Sequence, residues 1–193
     1  MVGHPATDRE ELVMPMTDEN RYTPECVRDD AWQRRMRDTI LKPYFYDLKA
    51  KSYRFLDGNM DAQKRDLDTI ANFGQGDRTI SEKIVRYPVD DKTGVPWDKP
   101  YAKFALETEN WGQPSGMSIT EAMRLLYCFA NLEETMLTCY YMDMQALKAW
   151  FKENGHKYKE WIDPKPNHSH CRLVWINDVL RVVTAKVFII PQA

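Results

Sequence analysis

The sequence lacks most of the features that announce a function. No run of 18 apolar residues occurs in its 193; the best candidate, 122–142, is interrupted by Arg124, Asn131, Glu133 and Glu134, so no membrane-spanning helix is expected. An excess of one charge is missing too. With 27 basic against 29 acidic residues the net charge is −2 and the pI about 6.1, which argues against bulk binding to nucleic acid or to an anionic membrane. Cysteine is scarce: Cys26, Cys128, Cys139 and Cys171 include no C-x-x-C pair. Walker A, G-x-S-x-G and H-E-x-x-H motifs are absent, and Gly74-Gln75-Gly76 has neither a preceding strand nor the third glycine of a dinucleotide loop. No internal repeat or low-complexity tract occurs.

Leader-like patterns are missing as well. No apolar run follows Met1, and residues 1–25 carry six acids against Arg9 and Arg21, unlike an Arg-rich, acid-poor transit peptide. Unpaired cysteines read as free thiols in a reducing, intracellular compartment. If 119–154 were one helix, Cys128 and Cys139 would lie roughly 16 Å apart at 1.5 Å per residue, too far for a disulfide.

What is present is globular: 43% of residues are apolar, and 12% are aromatic although the mean hydropathy is −0.62, so the core must be rich in aromatics and methionine. The length suits one domain. Residues 1–25 are polar, carry Pro5, Pro15 and Pro24, and show no apolar period. They read as an extended tail that gains order only against a neighbouring chain. The remainder, 26–193, reads as a single, mainly α, irregular helical domain with an insert at 74–117.

Periodicity supports the helical reading. Trp32, Met36, Ile40, Tyr44 and Leu48 recur every four residues, predicting a helix over 29–56 that kinks at Pro43. A second helix is expected over 61–73, stopping at Gly74. The insert holds five glycines, four prolines and the rings of Tyr87, Trp97, Tyr101, Phe104 and Trp111. Within it, 83–89 and 95–106 could pair as a small hairpin. Ser118-Ile119-Thr120-Glu121 reads as a capping box opening one long central helix, 119–154, apolar over more than half its circumference. Between Cys171 and Ile190, a 100° step separates Arg172, Asn177, Asp178, Arg181, Thr184 and Ala185 from Trp175, Ile176, Val179, Leu180, Val183 and Val187, and predicts an amphipathic helix.

Few residues suggest chemistry. His156, His168, His170 and Cys171 carry zinc-type donors, but 168, 170 and 171 are bunched too tightly to converge unless the chain turns sharply. The simpler reading is a polar loop before a helix. Asp57-Gly58-Asn59-Met60-Asp61 imitates the opening of an EF-hand loop with Asp68 at its twelfth position. The match fails because Ala62 stands where the turn needs Gly, and helix capping explains the same residues. Glu133 falls in the apolar arc of the expected central helix, where a buried carboxylate could serve as a proton carrier; a helix bend, or a partner Arg or Lys across an interface, is the simpler reading.

These traits describe a non-catalytic structural or accessory subunit of a larger intracellular assembly, bound to other protein subunits through extended segments. Tyr22, Trp97, Tyr101, Trp111 and Trp161 are its expected anchors. No nucleic-acid partner and no resident cofactor are expected. A mitochondrial complex is an analogy only. The alternatives are a zinc-dependent enzyme and a helical small-molecule binder.

Overall fold

The computed structural model describes residues 31–88, 93, 95–96, 102–110, 112–162 and 169–191. Among them strand outweighs helix, 42% to 32%, so the mainly α, alpha-helical expectation is overturned. In chain order the elements are α1 (residues 31–49), β1 (Ser52–Phe55), α2 (Met60–Lys64), β2 (Thr69–Asn72), β3 (Asp77–Val85), β4 (Lys103–Asn110) and β5 (Gln113–Pro114). There follow β6 (Arg124–Ala130), β7 (Met136–Asp143), α3 (Met144–Asn154), β8 (Glu160–Ile162), β9 (Ser169–Trp175), α4 (Ile176–Leu180) and β10 (Ala185–Pro191).

Three layers result. A six-stranded sheet, ordered β1-β2-β3-β6-β7-β10, is antiparallel except where β3 runs parallel to β6. One face is covered by α1: Trp32, Met36, Ile40, Leu41, Phe45 and Tyr46 form one core with Ile80, Ile84, Leu126, Cys128, Leu137 and Cys139. The other face packs on α3 and on a four-stranded sheet, β5-β4-β9-β8. Phe104, Leu106, Tyr127, Phe129, Met142, Leu147 and Val174 form the core there.

That sandwiching explains why the expected central helix is in fact strand β6, a turn, strand β7 and only then helix α3. Six of the seven residues of β6 are buried: Leu125, Tyr127 and Phe129 face the second sheet while Leu126, Cys128 and Ala130 face α1. A strand covered on both sides loses its alternation and reads as a continuous apolar run. Asp143, not Ser118, caps the helix that does form, accepting from the Ala146 N–H at 2.9 Å. Ser118 instead donates to the Thr108 carbonyl at 2.7 Å.

The other helical expectations are corrected in the same way. Residues 61–73 split into α2, capped by Asn59, and β2, and Gly74 lies in the turn between β2 and β3. The expected amphipathic helix near the C-terminus is β9, the short α4 and β10; only the middle of its apolar arc, Ile176 and Val179, is helical and buried. The expected hairpin fails because β3 and β4 lie in different sheets. Helix α1 ends at Lys49, short of the expected 56, and β1 follows. Its stretch Arg37–Tyr46, which contains Pro43, is π-helical, and Asp47 N–H bonds the Lys42 carbonyl five residues back.

Among the described residues no helix is long and apolar enough to cross a membrane. The tail 1–25, the anchors Tyr22, Trp97, Tyr101 and Trp111, and His168 lie outside the described residues.

Candidate functional site

The sheet is uneven where β2 meets β3. Residues 69–72 of β2 pair with 77–80 of β3, but β3 runs on to Val85, so its edge from Ser81 onward faces a cleft rather than a strand. Ser81, Glu82 and Lys83 are three polar residues set between Ile80 and Ile84. On this edge they are held within the fold rather than in solvent. The turn after α2 brings Asp66 and Asp68 against them, and β4 brings Glu107.

Two adjoining cavities, of about 180 and 230 Å³, share Gln33, Asp68 and Glu82 in their walls. The first opens toward Arg34, Arg37 and Asp57. The second lies between the sheets and adds Asp66, Ser81, Lys83, Glu107 and Tyr127 over an apolar floor that includes Leu125 and Met144.

Several of the polar groups are held by defined hydrogen bonds. Asp68 Oδ2 accepts from the Glu82 N–H at 2.6 Å, and Asp66 Oδ2 accepts from the Ser81 hydroxyl at 2.9 Å. Glu82 Oε1 accepts from the hydroxyls of Tyr46 and Thr69. Arg37 grips Asp57 with two parallel bonds, at 2.9 and 2.5 Å, and lies 4.1 Å from the centre of the Phe55 ring. The Tyr127 hydroxyl accepts from the Ala105 N–H at 3.2 Å.

Around the cleft, backbone geometry is special at Asp66 and Gly116. Asp66 has φ 53°, the left-handed region, which a non-glycine residue occupies at a cost that its surroundings must offset. Gly116 has φ +45°, and a Cβ there would stand 2.7 Å from the Glu107 carbonyl oxygen. Only glycine lets the 3₁₀ turn Gly116–Ser118 close this tightly on β4.

The electrostatics follow from burial among like charges. Burial and then the neighbouring Glu82 push the Asp68 carboxyl up to about 8, so it keeps its proton at neutral pH. Burial also raises Asp66 and Glu82, against the hydroxyl bonds that favour their ionised forms. Lys83 goes the other way. Burial opposes its charge, yet Tyr127, Cys171, Glu107 and Asp66 around it together hold its ammonium above the ordinary lysine pKa. The Arg37 guanidinium holds Asp57 below the usual carboxylate range. A proton-bearing carboxyl, ionisable carboxylates and a fixed cation thus meet at one cleft, a set able to give and take protons.

The residues singled out by sequence fall elsewhere. Glu133 is exposed in the β6–β7 turn, accepting from Asn131 Nδ2 at 2.8 Å, because the helix that would have buried it does not exist. His156 is exposed in the turn Gly155–Lys157. His170 lies on β9 with Nδ1 3.2 Å from Glu160 and Nε2 3.8 Å from Glu109. Cys171 is the next residue on the strand and is buried, and neighbouring strand residues leave by opposite faces. Among the described residues no three His, Cys, Asp or Glu side chains form a set that could hold a metal ion. Trp161, on the edge strand β8, is 40% exposed.

The cleft residues were not singled out from sequence for their chemistry. Asp57 and Asp68 drew notice only as parts of a failed calcium loop. The available signal was Ser81-Glu82-Lys83, a polar triplet flanked by Ile80 and Ile84.

Fold and site together describe a mainly β protein with a helix–sheet–sheet arrangement and a polar cleft at a sheet edge. No protein-family model, no curated protein and no solved structure matches the chain.

Proposed function

We propose that the protein is an acid–base enzyme acting on a small polar substrate in the cleft at the free edge of β3. One observation carries the reading: Asp66, Asp68, Glu82 and Lys83 gather where β2 stops and β3 continues, around a cavity with room for a ligand. Asp68, protonated at neutral pH, supplies a proton. The Lys83 ammonium stabilises negative charge growing on a substrate carbonyl or phosphoryl oxygen. Asp66 and Glu107 accept hydrogen bonds from the substrate's donors, and Leu125 and Met144 line its apolar side.

The test uses p-nitrophenyl esters and phosphate esters as probes. The expected result is turnover whose kcat/KM falls above about pH 8 as Asp68 loses its proton. Asp68→Asn should lower kcat/KM by about 10²–10⁴, the usual contribution of a positioned acid, and Lys83→Met should depress kcat. Turnover unchanged in both variants overturns the reading. So does a lack of turnover combined with no probe-induced shift of the Asp68 and Lys83 NMR signals.

A second reading, the non-catalytic accessory subunit, has its own support in an uncovered apolar strip. Met136, Val187 and Ile189 lie on the face of the six-stranded sheet that carries Tyr140, and are 38%, 52% and 62% exposed. The second sheet stops short of this edge. Buried against another subunit, the strip would supply the apolar centre of an interface.

A further inference from the structure

Cys128 on β6 and Cys139 on β7 are directly paired across the antiparallel ladder, with their sulfurs 3.0 Å apart and both side chains fully buried. The expected 16 Å separation along a helix is thereby replaced by contact. The ladder's phase favours a bond. Asn131 N–H bonds the Met136 carbonyl at 3.0 Å, and three register steps from that pair place Cys128 and Cys139 at a non-hydrogen-bonded position. Such positions bring Cα atoms to about 4.5 Å, inside the range a disulfide spans. Closing the sulfurs to about 2.05 Å needs a shift of about 1 Å, within reach of small side-chain rotations.

We propose that Cys128 and Cys139 are a redox modification site that forms a reversible cross-strand disulfide. The oxidant is a disulfide of low molecular weight. One cysteine, as its thiolate, attacks that disulfide and expels one thiol; the second then attacks the mixed disulfide and expels the other. The two protein thiols lose two electrons and two protons, and the oxidant becomes two thiols. Burial in the core shared with α1 restricts access, so the bond forms when α1 lifts from the sheet and is then sheltered once α1 returns. Cys171 is buried in the other sheet, where its ladder neighbours are Glu107 on β4 and Trp161 on β8. This inference rests on strand register and the sulfur–sulfur distance and does not depend on the function proposed for the cleft.

The experiment incubates the reduced full chain with oxidised glutathione under native conditions, then alkylates in denaturant and maps the peptides. The expected product is about 2 Da lighter than the reduced chain before alkylation, as two thiols lose two hydrogens; after alkylation it carries a crosslinked peptide joining residues 128 and 139, and it reverts with dithiothreitol. Cys128→Ser and Cys139→Ser should each abolish it, and Cys171→Ser should keep it. Alkylation of both Cys128 and Cys139 after prolonged oxidation, or glutathione retained on either of them as a mixed disulfide, would overturn the proposal. The wild-type map decides this even if a serine variant fails to fold.

Discussion

At the residue scale the decisive feature is a carboxyl that keeps its proton. Asp68 lies beside Glu82 and accepts its N–H, so ionising it would place a second negative charge in a half-buried cleft. The folded chain therefore holds, up to about pH 8, a proton that the unfolded chain releases above about pH 4. Folded and unfolded states bind this proton equally at low pH, so the contribution is nil there. As pH rises through that window the unfolded state gains, stability falls, and above about pH 8 the loss levels off. Asp68→Asn removes the effect while leaving an oxygen to accept the Glu82 N–H. Urea unfolding at pH 8 should show the variant more stable by about 1–3 kcal/mol, with the gain vanishing near pH 4. A constant difference across that range would assign the change to packing instead. The same substitution should cost activity, the usual exchange between stability and a poised functional group.

At the element scale α1 shows how a local helical irregularity redirects a face. An α-helical period from Trp32 would place Leu48 inside. The buried set actually runs Ile40, Leu41, Phe45 and Tyr46, a step of five that matches the π-helical stretch around Pro43, and Leu48 is 72% exposed. Phe45 stacks on Phe188 of β10 with ring centres 5.3 Å apart. Phe45→Ala should therefore cost about 3–5 kcal/mol, and Leu48→Ala less than about 0.5 kcal/mol, measured by chemical denaturation. Comparable costs at both positions would mean an unbroken α-helical stripe. The stripe through Met36 and Ile40 is legible in the sequence. The phase shift is not, because whether Pro43 breaks, kinks or widens a helix depends on what its freed carbonyl and the next turn pack against. Strands β6 and β7 were hidden for a related reason. With Leu125 and Leu126 both buried, on opposite faces, apolar periodicity no longer distinguishes strand from helix.

At the scale of the whole molecule, the two sheets do not match in extent, and Met136, Val187 and Ile189 are left uncovered at one edge. Val187→Lys combined with Ile189→Lys should leave the unfolding midpoint of the isolated chain almost unchanged, since both side chains are already in water. If the strip is an interface, size-exclusion light scattering should show wild type self-associating or aggregating and the double variant monodisperse. A monodisperse wild type with no loss on substitution counts against the accessory-subunit reading. Composition alone set the near-neutral charge, the high share of aromatic residues and methionine, and the lack of an apolar run long enough for a membrane helix. Local pattern located α1 and the apolar segments that became β6 and β7. The tertiary structure decided the rest, because burial on two faces, the pairing of Cys128 with Cys139 and the meeting of Asp66, Asp68 and Glu107 with Lys83 all depend on segments far apart in sequence. Short-range periodicity carries no information about which distant segment will cover a given face, and that covering determines both the fold and the cleft.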